Sequence, residues 1–133
     1  MTGYQQYRGV QVEGASPLEL ILLTYDVLIK SLRLAKLAGE EKNFAAEADQ
    51  LSRALAALVE LVTSLDMEHG GAIASSLGSL YAYMSSRLIE GNTGDTGAAI
   101  DEVLSLANTL REGWQGLVDS NSGASQPRQV NGY

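Results

Sequence analysis

The 133-residue sequence has no cysteine, one histidine, one tryptophan and two prolines. Without cysteine it can form neither disulfides nor Cys-type zinc sites, and a reducing cytoplasm is compatible with that. The single histidine, His69, cannot supply the paired Glu-x-x-His motifs of a ferritin-like di-iron site. Pro17 and Pro127 both lie outside any candidate helix interior. No apolar run approaches the roughly 18 residues of a membrane span, so no membrane insertion is expected. Residues 1–12 show no apolar run behind a basic segment and do not read as a secretory signal. Charge is also scarce. Charged residues make up 19%, against about 25% in ordinary soluble chains, so part of the surface is less charged than water alone would favour. The net charge is −7 and the nine basic residues are scattered from Arg8 to Arg128. With no basic patch to meet phosphates, nucleic acid is not expected as a partner.

What is present is helical punctuation. Ser16-Pro17-Leu18-Glu19 combines an N-cap, a proline at the first helical position and a capping box. It opens a helix expected to reach about Ala38, with Gly39 as its stop. A second helix follows Asn43 and runs to Leu65 or Asp66. Its Phe44, Ala48, Leu51, Leu55, Leu58, Val62 and Leu65 alternate spacings of four and three, an apolar seam. Gly70-Gly71 breaks the chain, and a third helix is expected from about Ala72 to Glu90. The run 91–94, Gly-Asn-Thr-Gly, reads as a turn. Asp95 or Thr96 caps a fourth helix, whose seam runs Ile100, Val103, Ala107, Leu110, Trp114 and Leu117. Ser, Asn, Gly and Gln dominate from residue 119 onward, the composition of a disordered tail. The expected organisation is an N-terminal segment 1–15, a bundle 16–118 and a tail 119–133. Helices of about 20 residues joined by short connections imply an all-α, antiparallel up-down four-helix bundle. Tyr4, Tyr7, Val10 and Val12 would let the N-terminal segment dock on it.

Two helices lack an ordinary solvated face. The first carries one apolar stripe of Leu18, Ile21, Leu22, Tyr25, Leu28, Ile29 and Leu32, and a second, across the wheel, of Leu20, Leu23, Val27 and Leu34. Neighbouring helices or the N-terminal segment would cover some of that second stripe. On the third helix, Ile73, Leu77, Leu80, Tyr81, Met84 and Leu88 form the expected core side. Opposite them lie Ser75, Ser79, Ala82, Ser86 and Ile89, flanked by Gly78 and Ser85, and between Ile73 and Ile89 only Arg87 is charged. A solvated face normally holds Lys and Glu, whose i,i+4 pairs support the helix. Gly in their place weakens it by up to ~1 kcal/mol against Ala. Small uncharged residues let another backbone approach, so this face reads as a groove for a guest helix. The plainer alternative is a Ser-rich surface without a partner.

Catalytic patterns are absent. His69 beside Gly70-Gly71 lacks the mid-helix setting of a phosphoacceptor and reads as an exposed loop residue. Asp66 and Glu68 suit a helix N-terminus better than acid–base chemistry. Gly70-Gly71 has neither the spacing nor the Lys-Ser/Thr of a phosphate loop. Tyr25, Tyr81, Tyr83 and Trp114, at helical spacing, read as core. No enzyme activity, cofactor or metal is expected.

The ordered set of motifs resembles the flagellin export chaperone family, FliS. It comprises Ser16-Pro17-x-Glu19-Leu20 with Tyr25-Asp26, then Leu65-Asp66-x-Glu68-x-Gly70-Gly71-x-Ile73-Ala74-x-x-Leu77. Leu80-Tyr81-x-Tyr83-Met84-x-x-Arg87-Leu88 follows, with Asn92 beyond it, and finally Glu102-Val103, Leu106 and Trp114. The resemblance spans about Ser16 to Leu117. It implies a cytoplasmic bundle that binds flagellin's disordered C-terminal segment as helices, prevents premature polymerisation, and delivers it to the type III export gate protein FlhA. On that reading the flagellin grooves involve Leu20, Leu23, Val27, Ser75, Gly78, Ser79, Ala82, Ser86 and Ile89. Tyr4, Tyr7 and Val10 belong to an N-terminal cap that also docks at the gate. Homodimerisation is an option for the free protein, and a self-associating structural bundle is the alternative to a chaperone. Ala72, Ala82, Ser86 and His69 depart from the family's usual acidic or basic residues, and all four changes remove or weaken charge around the third helix.

Overall fold

The computed structural model describes residues 16–91 and 94–124, with side chains to residue 120. Helix α1 (Pro17–Glu40) starts at a complete capping box. The Glu19 amide donates to Ser16 Oγ at 3.2 Å, and the Ser16 amide donates to Glu19 Oε1 at 2.9 Å. Each bond satisfies a donor that the helix end would otherwise leave open. At the other end the Asn43 amide donates to the Ala38 carbonyl at 2.8 Å and the Lys42 amide to the Gly39 carbonyl at 3.0 Å. That is a Schellman pattern, and its left-handed position is filled by Lys42, at φ 62°, rather than by a glycine. Gly39 lies within the helix, so the stop comes later than the sequence suggested. Asn43 then caps α2 (Phe44–Thr63) by accepting from the Ala46 amide at 3.2 Å. The same residue closes one helix and opens the next, which forces α2 back along α1.

Helix α2 ends at Thr63, short of Leu65. Asp66 caps α3 (Met67–Gly91), accepting from the His69 amide at 3.0 Å. Gly71, at φ 54° and ψ −129°, breaks the helical path, a conformation open to glycine and strained for any other residue. The uninterrupted part of α3 therefore starts at Ala72, as the glycine pair implied. Of the two candidate caps for α4 (Thr96–Ala124), Asp95 is the one used: it accepts from the Ala98 amide at 2.9 Å. Helix α4 continues past the expected boundary at 118 to Ala124. The N-terminal segment 1–15, and so its expected docking, and residues 125–133 of the tail lie outside the described residues.

Consecutive helices pack on one another and α4 closes the ring against α1. Asp26 pairs with Arg111 and Lys36 with Asp101, so numbers rise along α1 as they fall along α4. The architecture is the expected antiparallel up-down four-helix bundle. Its core holds Tyr25, Leu28 and Leu32 of α1, Ala54, Leu58 and Leu61 of α2, Tyr81, Met84 and Leu88 of α3, and Ile100, Val103 and Ala107 of α4. Among the described residues no helix is long and apolar enough to cross a membrane.

Three expectations about the core are corrected, the first being Leu117 of the expected α4 seam, which is 51% exposed. Ile73 is 74% exposed, while Phe44 and Val62 of the α2 seam are 63% and 45% exposed; Ala48 is exposed as well. The reason for α2 is the run of small residues. Ala35 and Ala38 of α1 and Ala54 and Ala57 of α2 are buried, which lets the two backbones come close and turns the buried face of α2 toward its alanines. Phe44 and Val62 are rotated outward as a result. Ile73 lies just past the break at Gly71, on the open rim of a hollow at the end of the bundle.

Lys42 generates a prediction. A left-handed conformation costs an ordinary residue ~1–2 kcal/mol, part of which glycine gives back in chain entropy. Lys42→Gly should therefore raise stability by about 0.5–1 kcal/mol, read as a higher urea midpoint with an unchanged slope. A lower midpoint would contradict the Schellman assignment.

Candidate partner-binding surface

The two flanks of α4 are closed by charge. On the α1 side Arg111 forks onto Asp26, Nε–Oδ1 2.7 Å and Nη2–Oδ2 3.4 Å, and Lys36 Nζ meets Asp101 Oδ1 at 2.6 Å. On the α3 side Arg87 Nε donates to Glu102 Oε1 at 2.6 Å, and the Tyr83 hydroxyl donates to the other carboxylate oxygen. Arg87, the lone charge on the middle of α3, is thereby drawn toward α4. The opposite flank of α3 is left uncharged.

The two flanks of α2 expose apolar and small residues instead. Toward α1 there is an open groove of about 570 Å³. Val27, Ser31 and Leu34 form its α1 wall, Ala56 and Ala57 its α2 wall, and Lys30, Gln50, Arg53 and Glu60 edge it. On a helical wheel of 100° per residue, Leu55, Val59 and Val62 fall on the other side of α2's buried strip, facing α3. Val59 is 64% exposed. The α3 flank on that side holds Gly78, Ala82, Ser75 and Ile89, with Ser79 and Ser86 further out. Gly78 is half-buried, and a Cβ there would meet Leu65 at 3.5 Å, an ordinary contact. Ser75, Ser79, Ala82, Ser86 and Ile89 are exposed.

Two surfaces therefore border α2. Leu20, Leu23 and Val27 are all half-buried, and Val27 lines the α1–α2 groove. The α3 residues form a separate exposed strip. Sequence reasoning missed the α2 contribution, Gln50, Arg53, Ala56, Ala57 and Glu60. The one available signal was the Ala54–Ala57 run, too small to cover the groove's floor. Tyr4, Tyr7 and Val10 lie outside the described residues.

A second hollow, of about 230 Å³, sits at the end of the bundle where α1 begins. It is lined by Ile21, Leu65, Ile73, Leu77, Tyr81 and Trp114, with Asp66 and Gly70 beside them. Tyr25 and Tyr81 share a hydroxyl–hydroxyl hydrogen bond of 2.7 Å, and Trp114 Nε1 donates to the Tyr25 hydroxyl at 3.2 Å. Tyr25, Tyr81 and Trp114 come from α1, α3 and α4, as the core reading expected; Tyr83 does not join them and is 47% exposed. Burial raises the pKa of both hydroxyls, so both keep their protons. His69 is exposed, and its Nδ1 lies 2.8 Å from Asp66 Oδ2. Bonds from the His69 amide and ring hold Asp66 below the usual carboxylate range. Among the described residues no group of three or more His, Cys, Asp or Glu side chains is placed to hold a metal.

A compact helical bundle with long apolar flanks defines the class: an all-α protein whose distinctive surfaces suit other helices. The family model described as "Flagellar protein FliS" matches residues 1–121, and the chain belongs to that family. It is 32% identical over 121 residues to flagellar secretion chaperone FliSB of Pseudomonas aeruginosa, covering 88% of this chain and 96% of that protein. It is 35% identical over 119 residues to flagellar secretion chaperone FliS of Salmonella typhimurium, covering 86% and 88%. The corresponding protein of Bacillus subtilis is 27% identical, with 88% and 86% covered. These relatives are named as chaperones, not as enzymes.

Glu102 yields a pH prediction. Its carboxyl is held below the ordinary 4.5, first by the Tyr83 hydroxyl and then by Arg87. A depressed folded-state pKa contributes stability that is present above the unfolded value and lost as pH falls through the folded one. Glu102→Gln should therefore lower the denaturation midpoint at pH 7. The gap to the parent protein should narrow below pH 4.5 and close in stronger acid. A gap independent of pH would mean the Glu102 charge is not involved.

Proposed function

We propose that this protein is a cytoplasmic flagellar secretion chaperone. It binds the C-terminal segment of flagellin as helices along the apolar flanks of α2, prevents premature polymerisation, and hands the segment to the export gate. Membership of the FliS family supports the client. The observation that carries the mode of binding is the contrast between α4, whose flanks hold ion pairs to α1 and α3, and α2, whose α1 flank is an open groove with an apolar floor and polar edges. A client that is unstructured when free must be ordered on binding, at a cost of about 2–5 kcal/mol, which needs long contact surfaces to offset it. Two surfaces bordering one helix meet that need. One is the α1–α2 groove with Leu20, Leu23 and Val27; the other is the α3 strip of Ser75, Gly78, Ser79, Ala82, Ser86 and Ile89. In this reading the N-terminal segment, through Tyr4, Tyr7 and Val10, caps a groove in the free protein and contributes to docking on FlhA once the client is loaded.

The same exposed apolar flanks suit self-association, including a homodimer of the free protein. Sedimentation separates the two uses: dimers that dissociate on adding flagellin fit the chaperone, whereas a stable assembly indifferent to flagellin fits a structural bundle.

Calorimetric titration with a flagellin C-terminal peptide is the direct test. Binding should carry a negative heat-capacity change, the mark of apolar burial. Ser79→Lys, Ala82→Glu and Ala56→Glu place charge on exposed positions, and each should weaken binding by roughly tenfold or more, about 1.4 kcal/mol. Helicity and thermal midpoint should stay near those of the parent. Unchanged binding in Ser79→Lys and Ala82→Glu would remove the α3 strip from the client site, and unchanged binding in Ala56→Glu would remove the α1–α2 groove.

A further inference from the structure

The buried trio of Tyr25, Tyr81 and Trp114 has one donor too many. Three hydrogens are available: the Trp114 indole N–H and the two phenolic O–H groups. The Trp114 hydrogen goes to the Tyr25 oxygen, and one hydroxyl hydrogen is used in the bond between the tyrosines. Whichever tyrosine donates, the other's hydrogen has no acceptor among the described residues. Tyr25 is 0% and Tyr81 1% exposed; left on Tyr25 this hydrogen would be a buried unmet donor, which is costly. Tyr25 lies wholly within the core, whereas Tyr81 and Trp114 line the hollow at the end of the bundle. Placing the surplus hydrogen on Tyr81 directs it to the side where an acceptor can arrive.

We propose that this hollow is a pocket for one carboxamide side chain, an Asn or Gln flanked by apolar residues, on the bound client segment. Its volume, about 230 Å³, is below the range of pockets that enclose whole small molecules, about 300–1,000 Å³. It suits a single side chain rather than a passing backbone. Ile21, Leu77 and Trp114 receive the aliphatic part, and the Tyr81 hydroxyl donates to the amide oxygen. The ionised Asp66 carboxylate beside the pocket disfavours an Asp or Glu carboxylate there and accepts readily from an amide N–H₂. This deepens the chaperone reading by naming a chemical feature of the client, and its test uses no flagellin, so either can fail alone.

Trp114 is the only tryptophan, and its indole N–H gives one isolated NMR signal inside the site. Isobutyramide titrated into the full chain should shift that signal saturably, with a dissociation constant on the order of millimolar. Isobutyrate and the apolar isostere 2,3-dimethyl-1-butene should each bind at least about fivefold more weakly, the scale of one hydrogen bond. In Tyr81→Phe the surplus hydrogen moves to Tyr25, away from the pocket, and isobutyramide should lose the same factor. Should Tyr81→Phe fail to fold, the ranking of the three probes in the unaltered protein still decides the matter. Equal binding of all three probes, full affinity in Tyr81→Phe, or no saturable shift (a hollow that takes water alone) would each overturn the assignment.

Discussion

The hydroxyl pair of Tyr25 and Tyr81, closed by the Trp114 indole, is the junction on which the bundle's arrangement depends. It joins α1, α3 and α4 at one buried point and fixes both the rotation and the register of each helix there. Leucine contacts tolerate sliding by a fraction of a turn. Hydrogen bonds at 2.7 and 3.2 Å do not, because a misplaced hydroxyl in a low-dielectric interior loses its partner and regains no water. With α1, α3 and α4 held in this way, α2 is the helix outside the network. It is placed by its short connection at Asn43 and by alanine packing against α1.

This division of labour explains where the charge went. Three ion pairs that tie helix to helix sit on the flanks of α4, where they seal seams around the junction. Partly exposed pairs of this kind contribute little stability each, but they occupy the seams and draw Arg87 toward α4. The flanks of α2 hold Val27, Leu34, Val59 and small residues, with Lys30, Arg53 and Glu60 at the edge of the groove. Within this zone the α3 strip carries no charge, and the α1–α2 groove carries its charges only along its edges. Such a zone is what an amphipathic helix needs in order to lie down without desolvating charge.

Much of this was readable in the chain. The capping box at Ser16, the cap at Asn43, the break at Gly71 and the seam of α4 from Ile100 to Trp114 follow from local rules, since each involves residues within four positions of one another. The uncharged strip of α3 was likewise visible, because a missing charge is a property of residue type. What could not be read was which way each helix turns about its axis. The leucine seam of α2 pointed to Phe44 and Val62, yet the alanines decided its buried face. The contribution of Gln50, Arg53 and Ala56 to the groove followed from that rotation. Lys42 took the left-handed position that Gly39 would have filled more cheaply, because helical pairing carried α1 through Gly39 to Glu40.

The sequence by itself determined four helices, their caps, the antiparallel order imposed by short connections, and the scarcity of charge on α3. These depend on backbone bonding between near neighbours and on residue chemistry. The tertiary structure alone decided that α2 lies between two open flanks, that Arg87 turns to Glu102, and that Tyr25, Tyr81 and Trp114 meet with a hydrogen to spare. Those outcomes depend on side chains 15 to 89 positions apart, whose encounter is set by how helices rotate to bury their smallest residues against one another.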